Sequence, residues 1–173
     1  MRLFIAVKLN DEIRRSVTET QNKLFQNGVR GRFSSTDNLH LTLAFIGEYN
    51  DPNYVMEALR NVSFQPFQLK LDGKIGNFDD VLWTGLERND DLQNLADNIR
   101  KELTEYNIPF DEKTYNPHIT MMRRASFGDD VFEIRADKAE MTVDSIYLMC
   151  TRRGRHGMYY EEVGNVVSDD NYE

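Results

Sequence analysis

Asn38-Leu39-His40-Leu41-Thr42-Leu43 recurs, seventy-eight residues further on, as Asn116-Pro117-His118-Ile119-Thr120-Met121. Both copies place an Asn two residues before a His and alternate His and Thr with large apolar side chains. Alternation at period two is the pattern of a half-buried β-strand. On such strands Leu41, Leu43, Ile119 and Met121 point into a core, while His40, Thr42, His118 and Thr120 stand on the opposite face. Each strand thereby presents an imidazole and a hydroxyl side by side. The chain has three histidines and two of them fall in this frame, so the repetition calls for an explanation.

The surroundings repeat as well. Leu3, Ile5, Val7 and Leu9 alternate with Arg2, Phe4, Ala6 and Lys8 as a first strand. Asn10-Asp11-Glu12 supplies a cap oxygen and first-turn carboxylates to a helix. Its apolar stripe of Ile13, Val17 and Leu24 is narrowed by polar Thr20 and Gln21, and Gly28 and Gly31 mark a loop after it. Beyond the first motif, Asp51-Pro52 opens a short helix bearing Val55, Leu59 and Val62. Phe67, Leu69 and Leu71 then alternate as a strand, and Gly76-Asn77 with Asp79-Asp80 reads as a turn. From Val81 the order starts again, with a strand over 81–86 followed by Asn89-Asp90-Asp91-Leu92 at a helix start. That helix carries Leu92, Leu95, Ile99, Leu103 and Tyr106 on one face and leads to the second His-x-Thr strand. The two helix starts lie seventy-nine residues apart and the two histidines seventy-eight, which points to an internal strand-helix-strand repeat. Two copies suit a pair of facing lobes rather than a solenoid. Further strands are expected around 131–134, 142–150 and 158–163, the last two joined by a basic turn over 151–157. The acidic end, 167–173, is expected to be disordered.

A chain of 173 residues is long enough for one domain with a substantial core. Its 40% apolar and 29% charged content is that of a folded globular protein rather than a disordered one. No apolar run approaches the ~20 residues of a membrane-spanning helix. Met1 leads directly into a strand, so no leader peptide is expected. Cys150 is the single cysteine, which removes an intramolecular disulfide and a cysteine-based zinc site and fits a reducing cytoplasm. A net charge of −8 disfavours tracking along duplex nucleic acid but leaves room for a local basic pocket for one phosphate.

Two histidines with unperturbed pKa values near ~6.5 can be one neutral and one protonated at the same pH. Set on opposite sides of a phosphorus atom, they supply a general base for the nucleophile and a general acid for the leaving oxygen. Thr42 and Thr120 can donate to the non-bridging oxygens, and Arg123, five residues after His118, adds a charge-assisted fork. Such a set supports in-line displacement at a phosphodiester without a metal. Zinc is the chemical competitor, since His is its common neutral ligand, but neither motif has clustered His, Cys or carboxylate partners in the sequence. His156 falls in the basic turn and is read as solvent-facing. Arg152, Arg153 and Arg155 are either a solvated loop or a phosphate contact, and Tyr159 and Tyr160 read as structural.

At these residues the chain resembles the two-histidine phosphoesterases, and among them the RNA 2′,3′-cyclic phosphodiesterases, also called the 2′-5′ RNA ligase family. The resemblance runs through 2–6, 38–47, 81–83, 117–120, Arg123 and the terminal hairpin from Leu148 to Tyr160. Met121 stands where the family usually has Leu, a tolerated swap on the buried side, and Thr151 where it often has Ser. The resemblance implies an α+β fold over 1–173, with two pseudo-symmetric antiparallel-sheet lobes, helices outside, and a central cleft carrying both motifs. It also implies opening of a terminal 2′,3′-cyclic phosphate on RNA to a 2′-phosphate, with no metal or other cofactor and no membrane partner, by a cytoplasmic monomer. We assign His40 as proton donor and His118 as proton acceptor, with Thr42, Thr120 and Arg123 on the phosphate. The pseudo-symmetry leaves the two histidine roles exchangeable at the level of sequence. The alternatives are 2′-5′ ligation, which is the reverse reaction, and a non-catalytic RNA-end binding module.

Overall fold

Leu3, Ile5 and Val7 build the inner face of β1 (Arg2–Lys8) in the computed structural model, which describes residues 1–169. Its other face is covered too. Phe4 and Ala6 are 3% and 1% exposed, packed with Met149, Tyr147 and Tyr160 in a second small cluster. The Asn10 side chain accepts from Ile13 N–H at 2.9 Å and starts α1 (Asp11–Gln26). The buried stripe of α1 is broader than its apolar residues indicate, because Ser16, Thr20 and Gln21 are buried in it. They are tolerated there because each is hydrogen-bonded: Thr20 Oγ1 donates to Ser16 O, Ser16 Oγ to Asp137 O, and the Gln21 amide to Ser34 O and Met121 O.

The expected loop after α1 contains an edge strand, β2 (Arg30–Phe33). Gly31 permits it, since a Cβ there would lie 2.6 Å from Arg124 O on the neighbouring strand. Then come β3 (His40–Glu48), α2 (Pro52–Leu59) capped by Asp51, and β4 (Phe67–Phe78). β4 continues through Gly76-Asn77 and reverses only at Asp79-Asp80 into β5 (Val81–Leu86). Asn89 caps α3 (Asp90–Glu105), and β6 (His118–Ser126) carries the second motif. Residues 131–134, expected as a strand, lie mostly in a 3₁₀ turn over Asp129–Glu133. Only Val131 is buried in that turn, and so short an apolar run does not specify its conformation. The expected 142–150 strand is two, β7 (Glu140–Val143) and β8 (Ser145–Gly154), parted at Asp144. β9 (Gly157–Val167) comes after a turn of only Arg155 and His156. Val167 therefore belongs to a strand, and the Ser168 and Asp169 N–H groups donate to Asp144 O and Phe64 O. The rest of the expected disordered end, 170–173, lies outside the described residues.

Among the described residues the strands form two antiparallel sheets, ordered β3-β1-β8-β9 and β2-β6-β5-β4-β7. The repeat expected from the sequence is present as β1-α1-β3 and β5-α3-β6, and each helix reaches the sheet of the other copy. α1 packs against β6 and β7 of the second sheet, and α3 packs against β3 of the first, against β4 of the second and against α2. One continuous core results, running from Leu3, Leu41 and Leu43 to Leu82, Ile119 and Met121. The α+β, two-lobed architecture with helices outside and the motif strands facing each other is the one expected.

Candidate active site

Strict alternation would place Arg123 on the face opposite His118, because five positions separate them. A β-bulge reverses this. Trp83 pairs with Thr120 and Leu82 with Met122, so Met121 is an extra residue and both methionines are fully buried. An inserted residue shifts the parity of every later position on its strand, and Arg123 lines the same cleft as His118. The first motif does likewise, with Ala6 opposite Thr42, Ile5 opposite Ala44, and Leu43 extra. Phe45 thereby joins His40 in the cleft. Phe45 is the positional counterpart of Arg123, so the near-symmetric cleft differs in chemistry at its two ends.

The Met121 carbonyl, freed from the regular ladder, accepts from Ser34 N–H and from Gln21 Nε2, both at 2.9 Å. The bulge that aims Arg123 is thus pinned by a buried side chain of α1.

Each imidazole is fixed through Nδ1. That of His40 lies 2.8 Å from Asn38 O, and that of His118 lies 2.6 Å from Asn116 O. A carbonyl only accepts, so Nδ1 carries the proton and the neutral rings keep a basic Nε2. The recurring Asn therefore acts through its backbone. Its side chain has another duty in the first motif, where Asn38 Nδ2 donates to Met158 O at 2.9 Å and holds the β8–β9 hairpin. His40 Nε2 lies 2.9 Å from Thr42 Oγ1, which donates to it in the neutral state. His118 Nε2 has no hydrogen-bond partner among the described residues.

Aromatic rings wedge both imidazoles. Phe4 and Tyr160 lie 4.9 and 5.1 Å from His40 between ring centroids, and Phe78 and Trp83 lie 5.0 and 6.0 Å from His118. Trp83 occupies its place because residue 76 is Gly; a Cβ there would come within 2.3 Å of the indole. Burial by these rings lowers both histidines from the ordinary 6.5. Hydrogen bonding to Asn38 and Asn116 pulls the values back up, and the Arg123 charge lowers them again, joined at His40 by His118.

His40, Thr42, His118, Thr120 and Arg123 meet in one cleft of about 500 Å³, a size suited to a nucleotide. Sequence reasoning missed Arg2, Phe4, Ser34, Phe45 and Tyr160, which also line it, and Phe78 and Trp83 behind His118. The consecutive apolar pairs Leu43-Ala44 and Met121-Met122 were the available signal, since they interrupt a period-two pattern as a bulge does. His156 is exposed, at the rim of a neighbouring groove with Arg32 and Arg123. Arg152 forms an exposed ion pair with Glu161 at 3.5 Å. Among the described residues no group of three or more His, Cys, Asp or Glu is placed to share a metal ion, and no helix is long and apolar enough to cross a membrane.

The chain and its fold have known relatives. Residues 9–155 fit the profile of the 2′-5′ RNA ligase superfamily. An RNA 2′,3′-cyclic phosphodiesterase of Thermotoga maritima is 34% identical over 138 residues, 75% of this chain and 73% of that protein. One from Escherichia coli is 34% identical over 130 residues, 72% of this chain and 73% of that one. In three dimensions, E. coli LigT complexed with 3′-AMP superposes with a TM-score of 0.87 at 26% identity, covering 98% of both chains.

Proposed function

This chain belongs to the 2′-5′ RNA ligase superfamily, and on that premise we propose that it is an RNA 2′,3′-cyclic phosphodiesterase, opening a terminal cyclic phosphate to a 2′-phosphate. The observation that carries the chemistry is the pair of imidazoles in one cleft, each with Nδ1–H held by a backbone carbonyl and Nε2 left as the working nitrogen. His118 Nε2, without a hydrogen-bond partner among the described residues, takes a proton from water as its oxygen attacks phosphorus. The P–O3′ bond breaks, and protonated His40 delivers its Nε2 proton to the departing O3′. Thr120 and Thr42 donate to the non-bridging oxygens, Thr42 turning away from His40 to do so. The Arg123 guanidinium stabilises the charge that builds on those oxygens. Both histidines come from one chain, so a monomer suffices, and the buried Cys150 thiol accords with a reducing cytoplasm.

Mass analysis of a cyclic-phosphate oligonucleotide incubated with the protein tests this reading. The expected product is heavier by one water and bears its phosphate on the 2′ oxygen. An unchanged oligonucleotide that stays bound would instead identify an RNA-end binding module. A longer product in the presence of 5′-hydroxyl RNA would identify ligation. Chelation by EDTA should leave turnover intact; loss restored by zinc or manganese would reassign the histidines as ligands.

A further inference from the structure

Arg30 and Arg32 stand on the same short edge strand with opposite fates. Arg30 donates to Phe25 O and Val29 O and lies over the Phe25 ring. Arg32 has no ion pair or hydrogen bond among the described residues, and it is paired across the ladder with Arg123, which has none either. Like charges directly opposite on adjacent strands destabilise a sheet. In a protein of net charge −8, these two arginines stand side by side in a groove whose lining holds no carboxylate.

The pair lines a groove of about 470 Å³ with the Ser34 and Ser35 hydroxyls, closed on its far side by Met158 and Tyr160 of the β8–β9 hairpin. This groove is continuous with the catalytic cleft, since Ser34, Arg123 and Tyr160 line both. The opposite end of the cleft is built differently. There Phe45 takes the place of Arg123, and Asp111 sits beside it, its N–H donating to Phe45 O at 2.8 Å. Asp111 lines that end together with Arg100 and Lys113, and the Arg2 guanidinium lies over the Phe45 ring. The groove beside Arg32, by contrast, has no carboxylate in its lining.

We propose that Arg32, standing beside Arg123, binds the internucleotide phosphate on the 5′ side of the terminal nucleoside, so that the preferred substrate is the end of an oligonucleotide rather than a free cyclic nucleotide. This rests on the function proposed above, because Arg123 is taken to hold the reacting phosphate. Paired residues leave an antiparallel ladder about 5 Å apart, and two long side chains can diverge from there to phosphates joined by one ribose. Arg32 is then a specificity-determining residue for substrate length.

Three substrates test it: cytidine 2′,3′-cyclic phosphate, the dinucleotide CpC with a terminal cyclic phosphate, and that dinucleotide with a neutral methylphosphonate linkage. Loss of one charged hydrogen-bonded contact is worth about ten-fold to a hundred-fold. Arg32→Ala should lower kcat/KM by that much on the phosphate-linked dinucleotide, and by no more than about two-fold on the other two. Arg32→Lys should recover part of the loss as a point charge. Equal loss on all three, or none on the dinucleotide, would overturn the assignment. Calorimetric binding of the product CpC 2′-phosphate reads the same difference without turnover. If wild-type protein cleaves nothing, the function fails, while an Arg32-dependent affinity for that product would still uphold the subsite. Arg32 is exposed on an edge strand, and a melting curve for Arg32→Ala matching wild type excludes a folding cause.

Discussion

His40 and His118 share a backbone anchor and differ in one hydrogen bond, that of the Thr42 hydroxyl to His40 Nε2, which has no described counterpart on His118. Each of His40→Ala and His118→Ala should lower turnover by ~10²–10⁴-fold. The double substitution should cost less than the product of the two, because acid and base act as a unit. His156→Ala should stay within a few-fold of wild type. If His40→Ala remained folded and active, the two-histidine chemistry would be wrong. Both imidazoles are held below the ordinary 6.5, so the one that must be protonated loses its proton early as pH rises. The maximum of kcat/KM is accordingly expected on the acid side of neutrality, with a fall at lower pH once the base is protonated too. A profile flat from about pH 5 to about pH 8, with chemistry rate-limiting, would contradict this. The same shifts act on stability. Between the folded and unfolded pKa values the unfolded chain binds more protons, so stability falls as pH drops below 6.5. Urea midpoints at about pH 7.5 and about pH 5.5 should differ, and the difference should shrink in His40→Ala. Residue identity was legible here because histidine is rare in this chain and its frame is repeated. The lowered pKa values were not, because the rings that bury the histidines, Phe4, Tyr160, Phe78 and Trp83, come from four other places in the chain.

Among the elements, the bulges decide what the strands can present. Period-two reasoning finds β3 and β6 and orients His, Thr, Leu and Ile correctly, yet by parity it puts Arg123 and Phe45 on the wrong face. The inserted Met121 and Leu43 correct that. Gln21 has no apolar signal at all and reads in the sequence as narrowing the stripe of α1, whereas it bridges Ser34 O and Met121 O inside the core. Edge strand β2 is equally hidden, since its four residues include three polar or glycine positions. Gln21→Leu keeps the volume and strips a donor from two buried carbonyls, with an expected cost of about 1–3 kcal/mol, read from the urea midpoint. Because the bulge aims Arg123, kcat should fall as well, by up to about a hundred-fold for a displacement near 1 Å. A variant destabilised as stated but with unchanged kcat would show that Arg123 is held by other means.

At the scale of the molecule, the seventy-eight-residue offset in the sequence announced two lobes, but the destination of the helices was not readable from it. An apolar stripe states that a helix is buried and not by which sheet. The crossed helices tie the lobes into one core, so they should unfold together. The single tryptophan, Trp83, reports on the second sheet, while far-ultraviolet dichroism reports on both. The two urea transitions should coincide; separated midpoints would mean that the lobes are independent.

That crossing also bears on how such a chain could have arisen. Half of it, one strand-helix-strand unit, would leave part of the buried face of its helix bare and part of its twin's sheet uncovered. Two identical halves could settle this by trading helices, giving a twofold dimer with the same histidine on either bank of the cleft. Joining the halves into one gene would preserve the exchange while releasing the two copies from identity. The residue five places past each histidine, Arg123 in one copy and Phe45 in the other, is where two identical banks would become distinguishable inside the cleft.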